Sequence, residues 1–182
     1  ITYRTIVPGF VRDRITYSLN NLGMPITAVN NVLQGELRKA GVSTGRFIIN
    51  STVGVLGFFD PAASIGLTSE NEDFGQTLAV WGVESGPYII LPFLGPSTPR
   101  DFTGLLSTSL LDPMYQVGGG SASSSLRNYR LGTGAIDFRS RNIEVLDDLQ
   151  NNSIDYYAAV RSFYTQGRES QVSNNLESDT IE

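Results

Sequence analysis

Proton-transfer and nucleophilic chemistry require particular side chains at particular separations, and this sequence offers a short supply of them. Its 182 residues contain no Cys and no His. Disulfides, thiolate nucleophiles, thiolate or imidazole metal sites and a Ser-His-Asp triad are therefore excluded within the chain. Paired carboxylates are what composition leaves open, because one acid and one base at suitable spacing suffice for hydrolysis. Asp60, Glu72, Asp73, Asp101 and Asp112 are the candidates. Asp60 and Asp101, like Asp155, stand beside expected helix starts, where a carboxylate caps the first turn and meets the positive end of the macrodipole. The set reads as caps and solvated surface, and no catalytic residue or metal ligand is assigned. Asp73-Phe74-Gly75 matches a kinase triplet without its companion motifs, an accidental match. Gly41-Val-Ser-Thr-Gly45 and Gly82-Val-Glu-Ser-Gly86 have GxxxG spacing outside any long apolar segment and read as helix stops.

Charge supplies the next constraint. Charged residues make up 17% and hydrophobic ones 40%, with a net charge of -5. The low charge leaves much of the surface uncharged or apolar, and the negative balance argues against a nucleic-acid partner. Residues 1–46 carry +4, residues 47–113 carry -6, residues 114–169 balance, and 170–182 carry -3. That asymmetry fits a molecule with two electrically different faces, or the uneven scatter of a short chain.

The elements that must position these residues are read from apolar periodicity. A short helix is expected over 13–22. Another opens at Pro25, with Ile26, Val29, Leu33 and Leu37 at helical spacing and Gly41 as its stop. A helix from Ser43 or Thr44 through Phe47, Ile48 and Ser51 follows. Asp60-Pro61 opens a short helix to Ile65, and Glu72–Trp81 is another, stopped by Gly82. Gly86–Pro96, with three prolines and two glycines, reads as an extended apolar hairpin or loop. Thr98-Pro99 opens a helix towards Asp112-Pro113. Residues 117–125 read as a flexible Gly/Ser loop, and Leu131–Gly134 as a turn. Two helices close the domain: Phe138–Gln150, with Ile143 and Leu146 inward, and one capped by Ser153, with Asp155 in its first turn and Tyr156, Val160, Phe163 and Tyr164 on one side. The expectation is a mostly all-α single domain over 1–169 with apolar Pro/Gly-rich connectors, then an acidic, frayed or disordered tail over 170–182.

Two stretches are apolar on too many sides for an ordinary surface element: Phe47–Phe59 and Tyr88–Leu94. As a helix the first would be roughly 20 Å long, against about 30 Å for a bilayer core, enough for one leaflet and not two. No transmembrane helix or signal peptide is evident. Both stretches could be core. An exposed Pro-rich apolar loop would instead seek lipid or a protein partner.

Asn20-Asn-Leu-Gly-Met-Pro25, Val29-Asn-Asn-Val-Leu-Gln-Gly35, Gly45-Arg-Phe-Ile-Ile-Asn-Ser-Thr-Val-Gly54, Gly57-Phe-Phe-Asp-Pro-Ala62 and Glu72-Asp-Phe-Gly-Gln-Thr-Leu78 resemble the MlaA (VacJ) lipoprotein family. So do Trp81-Gly-Val83, Gly86–Ser97, Arg100-Asp101, Leu111-Asp-Pro113, Ile136-Asp137 and Ser153-Ile-Asp-Tyr-Tyr157, in the family's order across residues 12–168. The family's lipidated Cys and N-terminal Asn- and Phe-rich stretch are missing, so the chain is expected to be a trimmed or cleaved form.

The resemblance implies a ring- or disc-like helical body in the inner leaflet of a Gram-negative outer membrane. It implies association with trimeric porins and an amphipathic channel that passes mislocalised phospholipid to a soluble periplasmic carrier. No enzymatic activity and no cofactor are implied. Phe47, Ile48, Val53, Leu56, Phe58 and Phe59 would belong to membrane-facing or channel helices. Trp81 and, in the stretch Tyr88–Pro96 that would correspond to the family's apolar hairpin near the channel, Tyr88, Ile90, Leu91 and Phe93 would likewise be lipid-binding or membrane-facing. Arg46 and Arg100 would contact head groups or a porin, or close helix-end salt bridges. Two other readings stay open: a carboxylate-dependent lipid or glycan hydrolase, and a porin-docking scaffold that moves no lipid.

Overall fold

The computed structural model describes residues 7–68, 70–92, 95–111, 125, 143–145 and 147–178. The expectations at Phe93, Leu94, Asp112-Pro113, the Gly/Ser loop before Ser125, Leu131–Gly134, Phe138 and Leu146 lie outside these residues. The fold is mainly helical, as the periodicity indicates. In order it comprises α1 (Gly9–Leu33), α2 (Leu37–Thr52), α3 (Pro61–Ser64), α4 (Phe74–Val80), β1 (Ile89–Leu91), β2 (Gly95–Ser97), α5 (Pro99–Leu111) and α6 (Tyr156–Ser178). Residues 143–145 and 147–152 are helical as well. The chain divides into two compact units, one of residues 1–72 and 109–141 and one of 73–108 and 142–182.

In the first unit, the helices expected over 13–22 and from Pro25 are one helix. Pro25 lies inside α1, where it removes a single i→i−4 bond that the flanking turns tolerate. The break falls instead at Gln34-Gly35. Gly35 has φ +88, its N–H donates to Val32 O at 3.1 Å, and the Glu36 N–H donates to Asn31 O at 2.8 Å. These are the paired bonds of a Schellman stop. Leu37 and Gly41 thus belong to α2, and Gly41 and Gly45 lie within that helix and stop nothing. Asp60 caps α3 as expected, accepting from the Ala63 N–H at 3.2 Å.

In the second unit, Asp73 caps α4 by accepting from the Gln76 N–H at 3.0 Å. Gly82 lies just past its end, the Val83 N–H reaching back to Leu78 O at 2.9 Å. The Pro/Gly-rich stretch forms the expected hairpin, antiparallel with Ile89 opposite Ser97 and Leu91 opposite Gly95. α5 is capped by Thr98, whose Oγ1 accepts from the Asp101 N–H at 3.2 Å. The Asp101 carboxylate is therefore free for another role. At α6 the cap is Asp155, which accepts from the Ala158 N–H at 3.1 Å. Ser153 instead hydrogen-bonds back to Leu149 O. Along α6, Val160 and Tyr164 are half-buried while Tyr156 and Phe163 face outward. The helix continues to Ser178, through most of the stretch expected to fray.

Candidate functional site

Burial in the first unit runs against the usual order. Among the described residues, its largest fully buried side chains are Asn30, Asn31, Thr27 and Ser43, joined by Asn21, Gln34, Asn50 and Glu72. The buried apolar side chains among the described residues there are Met24, Ile26, Ala40 and Ala62. A buried amide or hydroxyl is tolerated when it is hydrogen-bonded, and α1 and α2 meet through such bonds. Asn21 Nδ2 donates to Ser51 Oγ at 2.9 Å, and Asn31 Nδ2 donates to Ser43 Oγ at 3.2 Å. Asn30 Nδ2 donates to Ile26 O at 2.9 Å. Glu72 is held beside them, accepting from Gln34 Nε2 at 3.3 Å while its N–H donates to Thr27 Oγ1 at 3.3 Å.

The apolar residues stand outside. Ile48 projects from α2, and the turn after it carries Val53, Val55, Leu56, Phe58 and Phe59, exposed by 72, 58, 70, 46 and 52%. Phe47 is half-buried. This turn is fixed to the polar interior. The Leu56 N–H donates to Ser51 O, the Gly57 N–H to Asn50 O and the Phe59 N–H to Gly54 O, at 3.1, 2.8 and 2.9 Å. Val55 and Leu56 take φ of +53 and +56, a region costing a non-Gly residue roughly 1–2 kcal/mol. The bonds hold the turn there and present its side chains outward. Arg14 lies at the turn's edge. Its guanidinium sits 4.7 Å from the Phe59 ring centroid and 5.5 Å from that of Tyr17, and donates to Phe58 O at 3.2 Å. In the sequence the low charge is consistent with this inversion, while the Phe47–Phe59 run leaves core and exposed surface equally open.

Arg46 does not reach out of this unit. It donates to Asp60 Oδ2 at 2.7 Å and to Leu67 O, which matches the salt-bridge alternative. Burial opposes ionisation of Asp60, but bonds from Asn50, Arg46 and Ala63 outweigh it and hold the carboxyl below its ordinary range.

In the second unit, Trp81 (54% exposed) and Ile90 (58%) face outward, whereas Tyr88, Ile89 and Leu91 are half-buried. Trp81 packs edge-on against Phe74 at 5.8 Å, and Tyr88 against Tyr157 and Tyr164 of α6 at 5.6 and 5.9 Å. The carboxylates are tied to one guanidinium. Arg168 grips Asp73 with two bonds of 2.7 Å and Asp101 with one of 3.0 Å, and the Tyr164 hydroxyl donates to Asp101 at 2.6 Å. Arg100 also pairs with Asp101, at 3.2 Å, so it too is committed within the unit. Burial alone would raise both acids, yet Arg168 holds Asp73 and Asp101 below the ordinary carboxylate range. Burial and the Asp101 carboxylate together push the Tyr164 phenol up. Sequence spacing gave no sign of this cluster, whose members are 95 and 67 positions apart. Beside it opens a cleft of about 390 Å³, lined by Tyr88, Arg100, Arg161, Tyr164, Arg168 and Val172 among others.

No helix among the described residues is long and apolar enough to cross a membrane. Among the same residues, no group of three or more acidic side chains could hold a metal ion.

A family model describing the MlaA lipoprotein matches residues 1–171. The chain belongs to the MlaA family. Among its relatives is an uncharacterized protein of Rickettsia bellii, 36% identical over 173 residues that cover 94% of this chain and 66% of that one. The intermembrane phospholipid transport system lipoprotein MlaA of Haemophilus influenzae is 33% identical, covering 94% of this chain and 68% of its own length. Its Escherichia coli counterpart is 32% identical over 91% of this chain and 65% of its own. The chain thus spans about two thirds of the length of these MlaA relatives. A solved structure described as the structural basis for maintenance of bacterial outer membrane lipid asymmetry superposes with a TM-score of 0.76 at 30% identity. It covers 91% of this chain and 81% of that one.

Proposed function

We propose that this MlaA-family chain is the lipoprotein component of an intermembrane phospholipid transport system, working at the outer membrane without chemical conversion of its lipid. The observation that carries this reading is the reversed burial among the described residues of the first unit. A hydrogen-bonded polar interior beneath an exposed apolar surface is suited to a surrounding that is itself apolar. Ile48, Val53, Leu56, Phe58 and Phe59 are assigned to contact acyl chains, with Trp81 and Ile90 doing the same in the second unit. A trimeric porin and a soluble periplasmic carrier are the partners such a component requires for support and for onward delivery.

The hydrolase reading loses ground on three of the five candidate carboxylates. A general acid needs its affinity for the proton raised, whereas Asp60, Asp73 and Asp101 are all shifted the other way by their partners. The test is to extract lipid from the purified protein, identify it by native mass spectrometry and thin-layer analysis, and follow its transfer to acceptor vesicles. Bound, chemically unchanged phospholipid that moves to the acceptor is the expected result. Release of fatty acid or sugar, or absence of any lipid association, refutes it.

A further inference from the structure

The cleft beside α6 contains three guanidiniums, and two are spent on protein carboxylates: Arg168 on Asp73 and Asp101, Arg100 on Asp101. The third, Arg161, is exposed, and its guanidinium makes no hydrogen bond or ion pair among the described residues. Glu169, the other acid of the cleft, follows eight residues later, about 12 Å along the helix axis, too far to neutralise Arg161. Tyr88 lies close enough to feel the Arg161 charge, and its hydroxyl is shut away from solvent with no hydrogen-bond partner. A buried hydroxyl without a partner costs free energy that an incoming acceptor would recover. A fork of guanidinium donors beside one phenolic donor suits a tetrahedral oxyanion.

We infer that this cleft binds a phosphate group, gripped by Arg161 and completed by the Tyr88 hydroxyl as the ring tilts toward the cleft, with that ring and Val172 offering an apolar wall to whatever the phosphate carries. Only the source of that phosphate, a lipid head group, rests on the transport reading. The test measures binding of dihexanoylphosphatidylglycerol below its micelle concentration, of inorganic phosphate and of acetate to the purified chain. Arg161→Gln, Arg161→Lys and Glu169→Gln are compared, with circular dichroism confirming the fold of each.

Loss of a charge-assisted grip weakens binding on the order of ten- to a hundred-fold. That loss is expected in Arg161→Gln, with partial recovery in Arg161→Lys and no loss in Glu169→Gln. Tighter binding of the short-chain lipid than of inorganic phosphate supports a head group as occupant, and equal binding supports free phosphate. Acetate bound as tightly as phosphate, or lipid binding indifferent to Arg161→Gln, overturns the site. Lipid that copurifies regardless of Arg161 would remove this site and leave the transport reading standing. Phosphate captured through Arg161 by a protein that carries no lipid would do the reverse.

Discussion

Leu56 is asked to satisfy two opposing demands, and one substitution separates them. It holds φ +56 with its side chain 70% exposed. In water both features are costs; at an acyl surface the exposure becomes a gain. Fully burying a Val, Leu or Phe side chain is worth about 1.5–3 kcal/mol. Scaled by the exposed fractions of Val53, Val55, Leu56, Phe58 and Phe59, insertion of the whole turn is worth roughly 5–6 kcal/mol, of which Leu56 supplies about 1.4. Asn accepts the left-handed region far better than Leu. Leu56→Asn should therefore raise stability in solution by about 0.5–1 kcal/mol, read as a higher urea midpoint. The same variant should partition into phospholipid vesicles at least tenfold more weakly, since the lost apolar contact alone accounts for that factor. Cosedimentation with sucrose-loaded vesicles measures it. A variant that is stabilised yet partitions like the parent would refute the membrane-facing role of the turn.

Four other perturbations test the packing. Arg168→Met should cost about 1–2 kcal/mol, because Asp101 loses one of its two guanidinium partners but keeps Arg100 and the Tyr164 hydroxyl, while the more exposed Asp73 contributes little; thermal unfolding at neutral pH reads it. Asp73 and Asp101 are held below the ordinary carboxylate range, so their stabilising contribution is complete above about pH 4 and is lost as pH falls through their folded values. Unfolding free energy should decline on that acid limb in the parent and decline less in Arg168→Met. Gly104→Ala would set a Cβ 2.4 Å from the Gly75 backbone nitrogen and should destabilise by more than about 2 kcal/mol, whereas Gly41→Ala, within α2 with nothing inside 4 Å, should stabilise by about 0.5–1, both read in urea.

What the sequence made legible was local. Asp60-Pro61, Gly82 and the Pro/Gly punctuation of Gly86–Pro96 each act through bonds within a few residues, and each appears where expected. The α1–α2 boundary was misplaced because Pro25 and Gly41 carry stronger breaker signals than Gly35, although only Gly35 adopts the positive φ that ends a helix. Apolar residues at Ile26, Val29, Leu33 and Leu37 suggested an inward oily stripe. Of these Ile26 is buried, Val29 and Leu33 are half-buried and Leu37 is exposed, and the most deeply buried side chains of the stripe are Asn30, Asn31 and Thr27. Periodicity shows that one face differs from another; it does not say which medium lies outside. The Asp73–Asp101–Arg168–Tyr164 cluster was invisible because it joins three separated elements through long side chains.

The amide-and-hydroxyl seam between α1 and α2 also shapes this chain's response to temperature. Unfolding raises heat capacity in proportion to the oil it wets and lowers it in proportion to the polar groups it wets. Among the described residues of the first unit the hidden side chains are mostly Asn, Thr and Ser and the Val and Phe of the turn are wetted from the start, so these sum to a small increment. The unit's stability curve should be broad and shallow, with cold denaturation pushed far below freezing and a gradual decline on warming.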